Sequence, residues 1–443
     1  MPGRVIVIGS GLGGLLSGLL LARRGMEVTV LEQSRNIGGC LQSFRRKSHI
    51  FDTGLHFVGG LGEGGRIRER FEEWGLMDLP WEALEGEEVV IGEDSFFLPF
   101  GYAACKEALA SYFPADADAA AACLDDIAEV SNRLGADFVH TLELPALQFL
   151  RSRIGNPLLL KVISGTSFKM ELDADRLPLG IFARIFDVSM RSLHRLRGGG
   201  SLLAEALASQ IRELGGRILT DRKVVALDIS ENRVHSVRTS DAMSYPADIV
   251  VSDVHPSVLV EMAGEGMRRS YRHRVAELKN TAGIFTANIA LSDDAPSLPK
   301  RSLYVHTSSA DLWRPRTDVT ESVCVSFGDR SVDLMTRRIS GNRDHIASEC
   351  IDLVSRRLPW LKSCVEDVYT SIPDTYFRYT GTPGGSAYGI LKDCNDIMRT
   401  MLSSRTPVSN LFLAGQNVGI HGIAGVVEST CYTVSQIENQ LGI

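Results

Sequence analysis

Residues Arg4 to Gly39, RVIVIGSGLGGLLSGLLLARRGMEVTVLEQSRNIGG, constrain this chain more than any other stretch. Val5–Ile8 is a short, unbroken apolar run of the kind shown by a parallel strand buried on both faces. It ends at Gly9-Ser10-Gly11-Leu12-Gly13-Gly14. From Leu15 to Arg24 the chain reads as a helix, with Gly14, Gly18 and Ala22 spaced by four so that one thin stripe can lie close against a sheet. Gly25 takes the place of a left-handed cap, and a second strand, Glu27–Leu31, delivers Glu32 at its end.

Each part of this unit has a physical task. Gly9 permits the tight turn, Gly11 lets the backbone touch a pyrophosphate, and Gly14 lets helix and strand approach closely. Free amides and the dipole at the helix start attract phosphates. Glu32 is placed to accept hydrogen bonds from ribose hydroxyls and would repel a 2′-phosphate, so the expected ligand half is an ADP moiety. Gln33 follows the acid, and Gly38-Gly39 bring two more bare backbone positions to the same ligand. Val5 to Ala22 is eighteen residues without a charge, the length of a membrane span, but five glycines, two serines and a central turn argue against one. With only Arg4 before the apolar run, a secretory signal is not expected either.

At 443 residues the chain is too long for one ordinary core and predicts two domains. A net charge of −7 gives no general reason to bind nucleic acid. The eight cysteines form no C-x-x-C pair and have no histidine at ligand spacing, so no metal site is expected and the thiols read as those of a reducing cytoplasm.

Further along, Phe51 to Gly60 is a loop with Gly54 and His56 among glycines. Glu88–Ile91 and Ser95–Leu98 predict a hairpin about Gly92–Asp94, and Ala115 to Phe138 a single helix. Gly198–Ser201 opens a helix over 202–214, 224–229 and 233–238 predict a hairpin about Glu231-Asn232, and Ala247 to Asp253 a buried strand ending in polar residues. From His255 to about Pro407 the chain reads as facing strands that roof a cavity, with a helix over 344–358. Asp374 to Gly389, dense in aromatics and glycines, reads as an ordered loop. Asn410 to Gly415 is a buried strand running into a glycine. Gln416, Asn417, His421 and Gly425 follow, then a helix from Val426, a second place for an anion or carbonyl.

The segments VIGSGLGGL, LEQSRNIGG and FDTGLHFVGG together resemble the phytoene desaturase, carotenoid isomerase and retinol saturase family of FAD-dependent oxidoreductases, most closely its retinol saturase side. The resemblance implies an α/β fold: a Rossmann-like FAD-binding domain of the two-dinucleotide-binding, amine-oxidase-like type, with a discontinuous α+β substrate domain. The boundaries expected are 1–65, 198–255 and 405–443 for the first and 66–197 and 256–404 for the second. It places the ADP half at the fingerprint, adenine at the backbone near Val225, the Gly54 segment against the flavin, and the flavin O2 and ribityl chain at Gly415, Gln416, Gly425 and Val426. Many FAD enzymes of this fold have an aspartate after that glycine; here Gln416 and Asn417 stand there.

By the same resemblance the substrate is a long apolar molecule with conjugated double bonds, altered by hydride transfer with a proton moved at the neighbouring carbon. His56 and His421 are the candidates to move it, since imidazole titrates near neutrality, with Tyr388 a weaker one. No second nucleotide fingerprint follows Gly198–Gly200, so NAD(P)H, a quinone, oxygen or no net acceptor all remain open. An amine-oxidase-like enzyme acting on a C–N bond and a non-catalytic lipid carrier are the alternatives. A membrane-derived substrate would suit peripheral contact through basic residues near Arg191 and apolar ones from Leu147 to Leu160.

Overall fold

Val5 to Ile8 are all at most 4% exposed, and this apolar run can be hidden on both faces only at the centre of a layered sheet. The computed structural model describes residues 3–442 and places β1 (Arg4–Ile8) in the middle of five parallel strands. α1 (Leu12–Arg23) leads to β2 (Glu27–Leu31), and the sheet is completed by β3 (Arg217–Leu219), β4 (Ile249–Ser252) and β5 (Leu411–Leu413) in the order β3-β2-β1-β4-β5. α2 (Gly422–Leu441) follows β5 and packs on α1. The strand order reverses between β1 and β4. A doubly wound sheet opens its binding crevice at such a point, beyond the carboxyl ends of the strands.

Between β3 and β4 lies an antiparallel meander of Val224–Ser230, Arg233–Thr239 and Ser244–Pro246. Its first turn has Glu231 and Asn232 at φ 50° and 59°, the two left-handed residues that match the strand twist. The predicted 88–98 hairpin is the edge of a seven-stranded mixed sheet, in the order 365–371, 285–291, 331–336, 322–327, 301–306, 86–91, 94–99. Val89 packs among helices on one side and Val90 joins Phe285, Ala287 and Ile289 on the other, as a period of two requires.

Several elements differ from expectation. The predicted helix over 115–138 is two, Ala117–Asn132 and Gly135–Thr141, because Arg133 and Leu134 are extended and Gly135 then turns at φ 55°. The predicted loop after Asp374 holds the helix Pro373–Thr380, which starts with Pro in its first turn and stops at Gly381 with φ 69°. The residues proposed for a membrane face are otherwise engaged. Arg191, Arg195 and Arg197 pair with Asp187, Glu82 and Asp329, and Leu147, Leu150, Ile154 and Leu159 are buried in the helical core. Among the described residues no helix is long and apolar enough to cross a membrane.

Candidate active site at the strand-order reversal

One cavity of about 790 Å³ opens at the reversal point and extends toward the seven-stranded sheet. Gly9, Ser10, Gly11, Leu12, Gly13, Glu32, Gln33, Gly38 and Gly39 line it from the fingerprint side. Gly54, His56, Gly415, Gln416, His421, Gly425 and Val426 line it elsewhere, so segments hundreds of residues apart meet in one space. Gly14 is not in the wall. A Cβ there would stand 2.1 Å from the Gly9 carbonyl oxygen, so its smallness serves the approach of α1 to β1. Val225 also falls outside. Lys223 and Val224 line the cavity, whereas Val225 is 46% exposed, on the opposite side of its strand from Val224.

The fingerprint turn is built for a dinucleotide. Gly11 caps α1 without any side-chain hydrogen bond, leaving the first-turn amides of Leu12 and Gly13 for a ligand while that of Gly14 turns to the Asp253 carboxylate. Glu32 is buried and held by Ser10 N–H at 2.9 Å, Ser10 Oγ at 2.6 Å and Ser34 N–H at 2.8 Å. Gly38 N–H donates to the Ser10 carbonyl at 3.0 Å, tying the second glycine pair to the first. Bare backbone is needed here: a Cβ on Gly13 would lie 2.6 Å from Gly415 N, and one on Gly39 3.2 Å from Gly11 Cα. Such a cradle fits the ADP half of FAD. At the other end Gln416 and Asn417 both line the cavity, and Asn417 Oδ1 accepts from Ile390 N–H at 3.0 Å.

Asp253, at the end of β4, lines the cavity and is the acid that sequence reasoning passed over as one of several polar residues closing a strand. The signal was the same as for Glu32, a carboxylate ending a buried strand, but only the β1–β4 pairing sets it beneath the glycine turn. A Cβ on Gly11 or Gly13 would be 2.5 or 2.6 Å from its carboxylate oxygens. Burial raises the Asp253 carboxyl to about 7, opposed by the Gly14 N–H and reinforced by the charge of Glu32. Phosphates over that turn favour the protonated form further, so cofactor binding takes up a proton once the free site has lost it. The affinity for FAD is expected to fall as pH rises above about 7, by at most about tenfold per pH unit. Asp253→Asn should flatten that slope in fluorescence titrations of the apoprotein.

The two histidines stand in opposite electrostatic settings. His56 Nδ1 is 3.4 Å from Asp333 Oδ2, an ion-pair distance without hydrogen-bond alignment. Burial by itself lowers the His56 pKa, but Asp333 and then Asp52 outweigh it and leave it raised. Asp333 is fixed in turn by Asn288 Nδ2 at 2.6 Å, and Asp52, pushed up to about 6 chiefly by burial, accepts from Gly200 N–H at 2.7 Å and Ser43 Oγ at 2.9 Å. His421 is lowered to about 4, first by burial and further by the charges of Lys392 and Arg337, although its bond to the Lys169 carbonyl works the other way. It is therefore neutral near pH 7, with Nε2 donating to Lys169 O at 3.2 Å and Nδ1 left as an acceptor.

Tyr388 packs against His421 with ring centroids 4.6 Å apart, and its hydroxyl donates to the Phe168 carbonyl. The seven-stranded sheet reaches the cavity less directly than expected. It acts through Asp333 on His56 and through Thr286, whose hydroxyl is 2.7 Å from that of the cavity residue Tyr376. Lys169 is a cavity residue without any sequence signal. It is buried in an ion pair with Glu87 at 2.5 Å, and Tyr304 also donates to Glu87 at 2.9 Å.

Comparison with known proteins agrees with this geometry. Residues 7–74 match the NAD(P)-binding Rossmann-like domain, and residues 134–437 match the flavin containing amine oxidoreductase model. The chain is 24% identical to human all-trans-retinol 13,14-reductase, over 98% of this chain and 85% of that one. It is 21% identical to the 4,4′-diapophytoene desaturase of Staphylococcus aureus, over 66% of this chain and 63% of the relative. Among solved structures, putrescine oxidase bound to putrescine superposes with a TM-score of 0.72 at 15% identity, over 99% of both chains, a likeness of fold. The family match covers more than half of the chain, and the Rossmann-like match covers the glycine cradle described above: this protein belongs to the flavin containing amine oxidoreductase family and is an FAD-dependent oxidoreductase.

Proposed function

We propose that the protein acts on a carbon–carbon double bond of a lipophilic polyene or isoprenoid-like substrate, saturating, desaturating or isomerising it. The observation that carries this reading is the continuity of one cavity. The space that begins at the dinucleotide cradle goes on, without a wall between, to apolar surface from Val58, Ile185, Val188 and Ile423, with both histidines in its lining. The activities for which the relatives are named, reduction at the 13,14 position of all-trans-retinol and desaturation of 4,4′-diapophytoene, support the same substrate class.

Bound FAD supplies hydride transfer to or from carbon. The chain's own residues do the rest. The fingerprint amides and Glu32 hold the ADP half, the 415–426 turn holds the other end, and the apolar walls orient the polyene and exclude water. His56, whose pKa Asp333 and Asp52 raise against the pull of burial, is the group suited to give a proton to carbon or receive it back. His421, neutral with Nε2 committed to Lys169, can orient a polar group through Nδ1 but is a poor acid near pH 7.

The test is anaerobic mixing of photoreduced holoprotein with all-trans-retinol and with phytoene, and of oxidised holoprotein with primary amines. Reoxidation of the flavin by a polyene, or a new polyene isomer on chromatography, is the expected result. Bleaching of oxidised flavin by an amine, with both polyenes unchanged, would overturn the reading.

A further inference from the structure

One wall of the cavity is charged. Arg66, Arg184 on the helix Leu179–Arg191, and Glu428 on α2 all line the space next to Ile185, Val188 and Ile423. Glu428 stands between the two guanidiniums, 3.9 Å from Arg66 Nη1 and 3.8 Å from Arg184 Nη1, within ion-pair reach but beyond hydrogen-bond length. Arg66 is anchored from behind, its Nη2 donating to the Ser131 carbonyl at 2.7 Å and Oγ at 3.0 Å. Asp187 Oδ2 lies 3.8 Å from Arg66 Nε without a hydrogen bond, while Oδ1 accepts from Arg191 Nε at 3.0 Å and from the Tyr102 hydroxyl at 2.9 Å.

Arg184 is the less satisfied of the pair. Its guanidinium lies 3.6 Å from the centroid of the Phe138 ring, and its sole hydrogen bond among the described residues runs from Nη2 to the Arg133 carbonyl at 3.2 Å. Its Nε is buried and unpartnered. A guanidinium has five N–H donors in a planar fork, a shape that matches a carboxylate, and a buried donor left unmade is costly. Stacking on Phe138 fixes the plane of that fork before any ligand arrives.

We propose that Arg184 and Arg66 bind the carboxylate end of the substrate, so that the preferred ligand is an amphipathic, anionic polyene acid and not a pure hydrocarbon. This assignment rests on the polyene reading above and narrows it. Glu428 sets the strength of the site. A ligand carboxylate must share the two guanidiniums with it, and with Asp187 paired to Arg191 the surroundings hold three cations against three anions once the acid is bound, so removing the Glu428 charge strengthens the subsite.

The experiment is tryptophan-fluorescence titration of the FAD-loaded full chain with three probes that share one polyene chain: all-trans-retinoic acid, all-trans-retinol and the hydrocarbon axerophthene. Retinoic acid should bind about tenfold tighter than the other two. Arg184→Met, which keeps a side chain able to cover Phe138, should erase that preference while leaving axerophthene binding intact. Glu428→Gln should tighten retinoic acid several-fold and leave axerophthene unchanged, a gain that a damaged fold cannot mimic. Equal binding of all three probes, or weaker acid binding in Glu428→Gln, would overturn the carboxylate assignment alone. Failure of all three to bind would overturn it together with the polyene reading.

Discussion

Gly14→Ala is expected to leave a protein that purifies with less than about a tenth of the wild-type flavin, because overpacking of this kind costs up to about 3 kcal/mol. The added methyl would stand 2.1 Å from the Gly9 carbonyl oxygen, 3.1 Å from its carbon and 3.2 Å from Asp253 Cβ. Two of these neighbours are backbone, which has no rotamer to change, and Gly9 already occupies φ 94°. The strain is relieved only by lifting α1 off β1, which moves the amides of its first turn away from the phosphates. Gly25→Ala is the matched control. Gly25 also has positive φ, at 77°, yet nothing lies within 4 Å of the place its Cβ would take. Only the left-handed backbone is penalised there, by about 1 kcal/mol, so flavin content should hold while the melting temperature drops slightly. Flavin absorbance per chain at equal protein concentration separates the two. Equal flavin in Gly14→Ala and wild type would refute the close-approach argument.

His56→Gln is expected to slow reoxidation of the reduced flavin by a polyene by about 10² to 10⁴-fold, the usual contribution of a positioned proton donor, with the visible spectrum of the bound flavin unchanged. Its partner gives the sharper test. Burial alone would hold His56 low, and Asp333 is the first of the two carboxylates that reverse this. In Asp333→Asn the burial effect is opposed only by Asp52, so the His56 pKa falls. A donor works only while protonated, so the rate of polyene reduction declines as pH rises through that pKa, and the decline in Asp333→Asn comes at lower pH. A pH–rate profile with the same high-pH limb in both proteins would remove His56 from the proton-transfer role. His421→Gln should move that limb little, since an imidazole lowered to about 4 stays neutral throughout the range.

The contrast between these histidines shows where sequence reading stops. Both stand in glycine-rich loops and looked equivalent in the chain. They differ because Asp333, 277 positions beyond His56 by the numbering, comes forward on a strand of the seven-stranded sheet, whereas His421 meets buried cations and a main-chain carbonyl. Long-range charge placement leaves no periodicity or spacing behind, and Lys169, Arg66 and Arg184 were invisible for the same reason.

What the chain determined by itself is local and covalently short. The β1–glycine turn–α1–β2 unit, its acid at Glu32, the hairpins about Gly92 and Glu231, and the strand that runs into Gly415 follow from apolar runs, backbone freedom and turn chemistry within a few residues. The dinucleotide cradle was legible from those pieces, and the family and fold class from the resemblance carried by VIGSGLGGL, LEQSRNIGG and FDTGLHFVGG. The tertiary structure decided which distant pieces face one another. The parallel pairing of β1 with β4 set Asp253 under the glycine turn, the sheet brought Asp333 to His56, and packing of the helix Leu179–Arg191 near α2 put Arg184 beside Glu428. In each case the physical cause is the same: burial strengthens a charge interaction, and which groups are buried together depends on sheet order and helix packing that no single stretch of sequence encodes.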